Sequence, residues 1–193
     1  DIIVLHDNAY SELVFDGQSC GSFLSIPGAM EVGVEFNSLS KTYGLAGARI
    51  GFCVGNKEVV GMLKTLKSNM DYGMFLPIQA AAVEALTGNQ AVVAETRAAY
   101  EHRRDVLCDG LIEAGWQMEK PAGTMFVWAP IPSSYQDSES FVADLLDKTG
   151  VLVTPGSAFG PSGEGYVRMA LVQSEDTMKK IVEAVAASGI FGK

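Results

Sequence analysis

The chain has 193 residues, 48% hydrophobic and 19% charged, a balance that builds a sizeable core and excludes an intrinsically disordered chain. Its formal net charge of -9 carries no long run of one sign, and no apolar run reaches the roughly eighteen residues of a membrane span. Nucleic acid and membrane are therefore not expected partners. Three scattered cysteines, Cys20, Cys53 and Cys108, and two histidines, His6 and His102, argue against a disulfide framework or a zinc site and fit reduced thiols in a cytoplasmic protein.

Asp1 leads directly into Ile2-Ile3-Val4-Leu5, the pattern of a buried parallel strand. With no lead-in, the chain is expected to begin inside a domain, as a piece of a longer protein whose sheet is left with an open edge. The strand ends in the polar cluster His6-Asp7-Asn8-Ala9-Tyr10. A second strand is predicted over 32–36, closing at Asn37-Ser38-Leu39-Ser40-Lys41. A glycine-rich loop precedes a third strand over 49–54. Val60, Leu63 and Leu66 fall at helical spacing within a helix over 57–69. A loop over 71–76 follows, then a helix opened by Pro77 and stopped by Gly88.

Residues 91–114 read as a long helix ended by Gly115, the natural connection between two domains. Beyond it, strands are predicted over 116–119 and 125–129, with Gly123 in the turn between them. A helix follows over 140–148, then strands over 151–153 and 167–172. Ser174 is placed to cap a last helix over 175–188. The expected fold class is α/β, an incomplete layer over 1–92 followed by the long helix and a small α+β unit over 93–193.

In open α/β sheets, ligands bind beyond the carboxyl ends of the strands. One such end offers Asp7 and, three residues on, Tyr10. Another offers Ser38, Ser40 and Lys41, with Arg49 eight residues past the lysine. Singly, each has an ordinary reading as a turn former, a cap or a solvated charge. The glycine-rich Gly160-Pro161-Ser162-Gly163-Glu164-Gly165 is not a dinucleotide fingerprint, and Gly44 to Arg49 lacks the Gly-Lys-Ser/Thr of a P-loop.

Together the residues resemble a known pattern. The string from Asn37 to Gly51 contains Ser38-Leu39-Ser40-Lys41 and then Gly44-Leu45-Ala46-Gly47-Ala48-Arg49-Ile50-Gly51. It resembles the lysine signature of the class I/II aminotransferases, the fold-type-I enzymes of pyridoxal 5'-phosphate (PLP). Asp7-Asn8-Ala9-Tyr10 resembles the family's upstream D-x-x-Y, and Tyr166-Val167-Arg168-Met169-Ala170-Leu171 its carboxylate-binding segment. The run from Leu66 to Gly73 looks most like bacterial enzymes grouped with alanine, aspartate and LL-diaminopimelate aminotransferases.

The resemblance implies the C-terminal part of a fold-type-I transferase, with a truncated large-domain sheet and a small α+β domain. It implies an amino group moved between an L-amino acid and a 2-oxo acid through a Schiff base on Lys41, which also moves the proton. Asp7 would hold the cofactor's ring nitrogen protonated, and Tyr10 would donate to the ring's phenolic oxygen. Ser38, Ser40 and Arg49 would bind its phosphate, and Arg168 the substrate α-carboxylate. A homodimer is implied, with Tyr72 and Phe75 either on a loop toward a partner's site or packed in the core. His6 is a candidate buttress for Asp7. The loop from Thr154 to Gly160 resembles one ahead of the carboxylate-binding arginine.

The family's phosphate-binding loop, ring-stacking aromatic and asparagine belong to a preceding part, so this piece by itself is expected to be inactive. Two other functions use the same scaffold. A C-S β-lyase would release pyruvate and ammonia from cystathionine without an amino acceptor. A ligand-sensing domain of a transcription regulator would carry a DNA-binding module upstream.

Overall fold

The computed structural model describes residues 2–192. The chain divides into two compact units, with the division falling between Ala98 and Ala99.

In the first unit, β1 (Val4–Asp7), β2 (Gly33–Ser38) and β3 (Gly51–Gly55) form a three-stranded sheet in that order. β1 runs parallel to β2, pairing Leu5 with Val34 and Asp7 with Phe36, while β3 is antiparallel to β2, pairing Ser38 with Gly51. Gly51 is required by close approach, since a Cβ there would lie 2.5 Å from the Asn37 carbonyl oxygen. Between the strands lie α1 (Ala29–Val32) and α2 (Leu39–Thr42); α3 (Lys57–Met70) and α4 (Leu76–Thr87) follow. Asn56 caps α3 by accepting from the Glu58 and Val59 N–H groups, and Pro77 sits in the first turn of α4. The core of this unit gathers Leu13, Phe15, Ala29, Val34 and Leu39.

The N-terminal run departs from expectation. Ile2, Ile3 and Leu5 are 83%, 57% and 64% exposed, so β1 is an edge strand with one open face rather than a buried one. Leu5 is exposed although its β2 partner Val34 is fully buried, so the cover over β2 does not extend to β1. Val32 closes α1 instead of opening β2, and Arg49 lies outside β3 in a left-handed conformation.

The helix α5 (Ala91–Glu113) runs through the division. In the second unit, β4 (Phe126–Pro130), β5 (Thr154–Pro155) and β6 (Tyr166–Ala170) make an antiparallel sheet in the order β4-β6-β5. α6 (Ser138–Thr149) and α7 (Glu175–Ala187) complete it. Asp137 and Ser174 cap these two helices through the Ser140 and Thr177 N–H groups. The core draws Leu107, Cys108 and Leu111 from α5, Val127 from β4, Phe141 and Leu145 from α6, Val167 from β6 and Met178 from α7.

Two strands predicted here do not form. Residues 116–119 are irregular, because Trp116 is held by its side chain: 2% exposed, stacked on Phe191 at 4.7 Å and donating from Nε1 to the Pro130 carbonyl at 2.8 Å. Residues 151–153 also lack a ladder, since only Thr154 and Pro155 of this segment pair with β6, and Leu152 stands 73% exposed. Gly156 and Gly163 lie backbone against backbone, where a Cβ on either would collide with the other's carbonyl. No helix among the described residues is long and apolar enough to cross a membrane.

Candidate active site

Because β1 and β2 are parallel and adjacent, their carboxyl ends emerge at one edge of the sheet. β2 ends at Ser38, whose Oγ accepts from the Ser40 N–H at 3.1 Å and starts α2. Asn37 braces the exit, accepting from the Ser38 N–H at 2.7 Å and donating to Ser11 Oγ at 3.2 Å. Lys41 is half-buried on α2, and its Nζ stands 5.8 Å from the centroid of the Tyr10 ring. Ser40 precedes it on the same short helix.

Asp7 is the last residue of β1, and its side chain is exposed. The Asn8 N–H continues the ladder to the Phe36 carbonyl at 2.8 Å, and the Leu13 N–H closes onto the Tyr10 carbonyl at 2.9 Å. Arg49 is exposed with φ 54° and ψ 47°, and one guanidinium nitrogen donates to the Ala46 carbonyl at 3.0 Å. It lies two residues before Gly51, the partner of Ser38. Lys41 and Tyr10 are thus brought together in space, Ser38 and Ser40 are adjacent at the end of β2, Asp7 closes the neighbouring strand and Arg49 lies on the loop before β3.

Strand alternation separates His6 from Asp7. His6 is not a buttress for Asp7: its Nδ1 meets Glu35 Oε2 at 3.2 Å. Glu35 is 6% exposed, and it also accepts from Asn8 Nδ2, Ser22 Oγ and the Phe23 N–H. Burial pushes its carboxyl up, but the hydrogen bonds from Ser22, Asn8 and His6 and the His6 charge outweigh it, so Glu35 titrates below its ordinary value. Glu35 went unremarked in the sequence; a lone carboxylate at the centre of an apolar strand was the available signal.

A cleft of about 390 Å³ in the first unit is lined by Ser11, Asn37, Ser38, Thr42, Tyr43 and Arg97. Asp7, Tyr10 and Lys41 do not line it. The chemistry is therefore located by functional groups rather than by concavity. Tyr72, at φ 57°, is 93% exposed and Phe75 70%, so neither packs in a core.

Arg168 belongs to the second unit. It lies on β6, paired with Trp128 and Thr154. Its guanidinium sits between two aromatic faces, 4.4 Å from the Phe126 centroid and 4.5 Å from the Phe159 centroid. Trp128 packs on both Phe159 and Tyr166 at 5.6 Å. Arg168 also borders a cleft of about 430 Å³ with Thr154, Gln173 and Thr177. Two rings this near favour the cationic guanidinium, whose planar fork of N–H donors matches a planar anion. The aromatic pair was not read from the sequence, although Phe159 falls in the loop noted there.

The donor set suits PLP: a half-buried amine for an aldehyde, an exposed carboxylate for a ring nitrogen, and two hydroxyls with a guanidinium for a phosphate.

The sequence matches the family described as aminotransferase class I and II over residues 1–185. It is 48% identical over 183 residues to an LL-diaminopimelate aminotransferase of Moorella thermoacetica, covering 95% of this chain and 47% of that protein. It is 46% identical over 189 residues to the glutamate-pyruvate aminotransferase AlaC of Escherichia coli K12, covering 97% of this chain and 46% of that protein. Among solved structures, substrate-bound BacF of Bacillus subtilis matches with a TM-score of 0.92 at 36% identity, over 96% of this chain and 47% of that one. The chain spans about half the length of the curated relatives it matches.

Proposed function

This chain belongs to the class I and II aminotransferase family, and from that premise we propose that it is the lysine-bearing part of a PLP-dependent enzyme that moves an amino group between an L-amino acid and a 2-oxo acid. The observation that carries the reading is the placement of Lys41 beside Tyr10 at the carboxyl end of a parallel strand pair, with Asp7 closing the neighbouring strand.

When bound, the cofactor supplies an electron sink for the bond broken at the substrate α-carbon. Asp7 presents a carboxylate to the ring nitrogen and keeps it protonated. Tyr10 donates from its hydroxyl to the ring's phenolic oxygen. Ser38 and Ser40 offer hydroxyls to the phosphate, and Arg49 offers a planar fork whose charge matches it. Lys41 would hold the cofactor's aldehyde through its amine, and that amine would hold and move the proton at the substrate α-carbon. Arg168 holds the substrate carboxylate and thereby orients the α-carbon.

The division of the chain within α5 supports reading residues 1–92 as part of a large cofactor domain and 93–193 as linking helix and small domain. Exposure of Tyr72 and Phe75 supports a homodimer that covers them. The free thiols of Cys20, Cys53 and Cys108 suit a cytoplasmic setting. The names of the relatives make L-alanine, L-glutamate and LL-diaminopimelate the first amino donors to try.

The test is an absorbance scan of the full-length protein with PLP, before and after each donor is added. A visible cofactor band that shifts with one donor is expected. A band that no donor shifts would overturn transamination in favour of a C-S lyase or a sensor domain. No band in intact protein would overturn the cofactor reading.

A further inference from the structure

Glu35 is the acceptor at the centre of a four-donor cluster, and the donors come from two segments. His6 Nδ1 at 3.2 Å and Asn8 Nδ2 at 2.9 Å belong to β1 and its exit. Ser22 Oγ at 2.6 Å and the Phe23 N–H at 3.1 Å belong to the turn that leads toward α1. From β3, Val54 is its Cα partner. A buried carboxylate with so many donors is fixed in position, because losing any of them would leave a polar group unsatisfied.

Asn8 is where this matters. It is 7% exposed, stands between Asp7 and Tyr10 in sequence, and its backbone is already pinned to β2 through Phe36. With its side chain held by Glu35, the residue joining the two proposed cofactor contacts is clamped to β2 at both backbone and side chain. β2 runs on into α2, which carries Lys41 six residues past Glu35. Glu35 itself faces away from Asp7 by strand alternation, so it acts on the site only through what it holds.

We propose that Glu35 is a positioning residue that locks the exit of β1, between Asp7 and Tyr10, to β2, the strand that leads into the helix bearing Lys41. The inference rests on the cofactor reading above and adds to it a residue that touches neither cofactor nor substrate. It follows the general pattern in which a supporting layer of hydrogen bonds sets the geometry of the reacting groups.

The experiment uses the full-length protein and the variants Glu35→Ala, Glu35→Gln and Asn8→Ala, with Val34→Ala as a control. Val34 is a fully buried apolar neighbour on the same strand, outside the cofactor contacts. Three quantities are read: the PLP dissociation constant, the pH midpoint of the visible cofactor band, and the thermal midpoint of the cofactor-free protein. Glu35→Ala and Asn8→Ala should weaken PLP binding about ten- to a hundredfold and displace the pH midpoint. Glu35→Gln should recover most of the affinity, since an amide keeps the shape and the Asn8 amide can turn to meet it. Val34→Ala should lower the thermal midpoint and leave the pH midpoint at the wild-type value.

The proposal is overturned if Glu35→Ala and Asn8→Ala match Val34→Ala in affinity and pH midpoint at a similar loss of thermal midpoint. If Glu35→Ala does not fold, Asn8→Ala decides by the same criterion. Wild-type protein without a visible band would instead defeat the cofactor reading, so the two failures are distinguishable.

Discussion

Lys41 and Tyr10 leave different strands, yet the lysine ammonium lies 5.8 Å from the centre of the tyrosine ring. Parallel pairing of β1 with β2 underlies this: both strands end on the same side of the sheet, Tyr10 following β1 by three residues and Lys41 following β2 by three on α2. An amine and an aromatic ring that start on different strands are thus neighbours.

Replacement of Lys41 by alanine should abolish both the visible cofactor band and transamination in the full-length protein. Absorbance and single-turnover measurements check this. Turnover at the wild-type rate would remove Lys41 from the reaction.

Tyr10→Phe keeps the ring beside Lys41 and removes only the hydroxyl. A hydrogen bond to a phenolic oxygen favours that oxygen's anionic state. Without it, the pH midpoint of the visible band should rise. A spectrophotometric titration reads the shift, and an unchanged midpoint would exclude Tyr10 as the donor.

Arg168 should be sensitive even to lysine, which keeps the charge but loses the planar fork that lies close to Phe126 and Phe159. The expected loss is about 1.5–3 kcal/mol of substrate binding, roughly ten- to a hundredfold in affinity. The effect should be confined to ligands with a free carboxylate. Inhibition by a carboxylic acid and by its amide would show the difference.

Glu35 also sets a pH dependence of stability. Its folded pKa is lowered, so its contribution is present above the unfolded value and is lost as pH falls through the folded one. The gap in thermal midpoint between wild type and Glu35→Gln should be widest near neutrality and close as the solution is acidified below the ordinary carboxylate range. A constant gap would mean that the charge of Glu35 contributes nothing.

Trp116→Ala should cost about 3–5 kcal/mol, as for other large core aromatics. The side chain is 2% exposed, packs on Phe141 and Phe191 and satisfies the Pro130 carbonyl. Chemical denaturation of the full-length protein would measure it, and a loss below about 1 kcal/mol would contradict the packing described.

The sequence by itself determined what depends on local chemistry. Ser174 can cap because its side chain reaches an N–H group three residues on. Pro77 suits the first turn of α4 through the φ its ring fixes, and Gly88 ends the helix where a Cβ would lie 2.6 Å from the Glu84 carbonyl oxygen. The lysine signature was legible for a related reason: Ser38, Ser40, Lys41 and Arg49 occupy one short stretch whose spacing is visible without a fold. What the tertiary structure alone decided is which residues separated in the chain face each other, and which apolar runs find cover. It turned His6 from Asp7 to Glu35, left Ile2, Ile3 and Leu5 open on an edge strand, and denied residues 116–119 and 151–153 the partners a ladder needs. A strand exists only in its pairing and a buried carboxylate only in its donors, and both are properties of distant chain brought together.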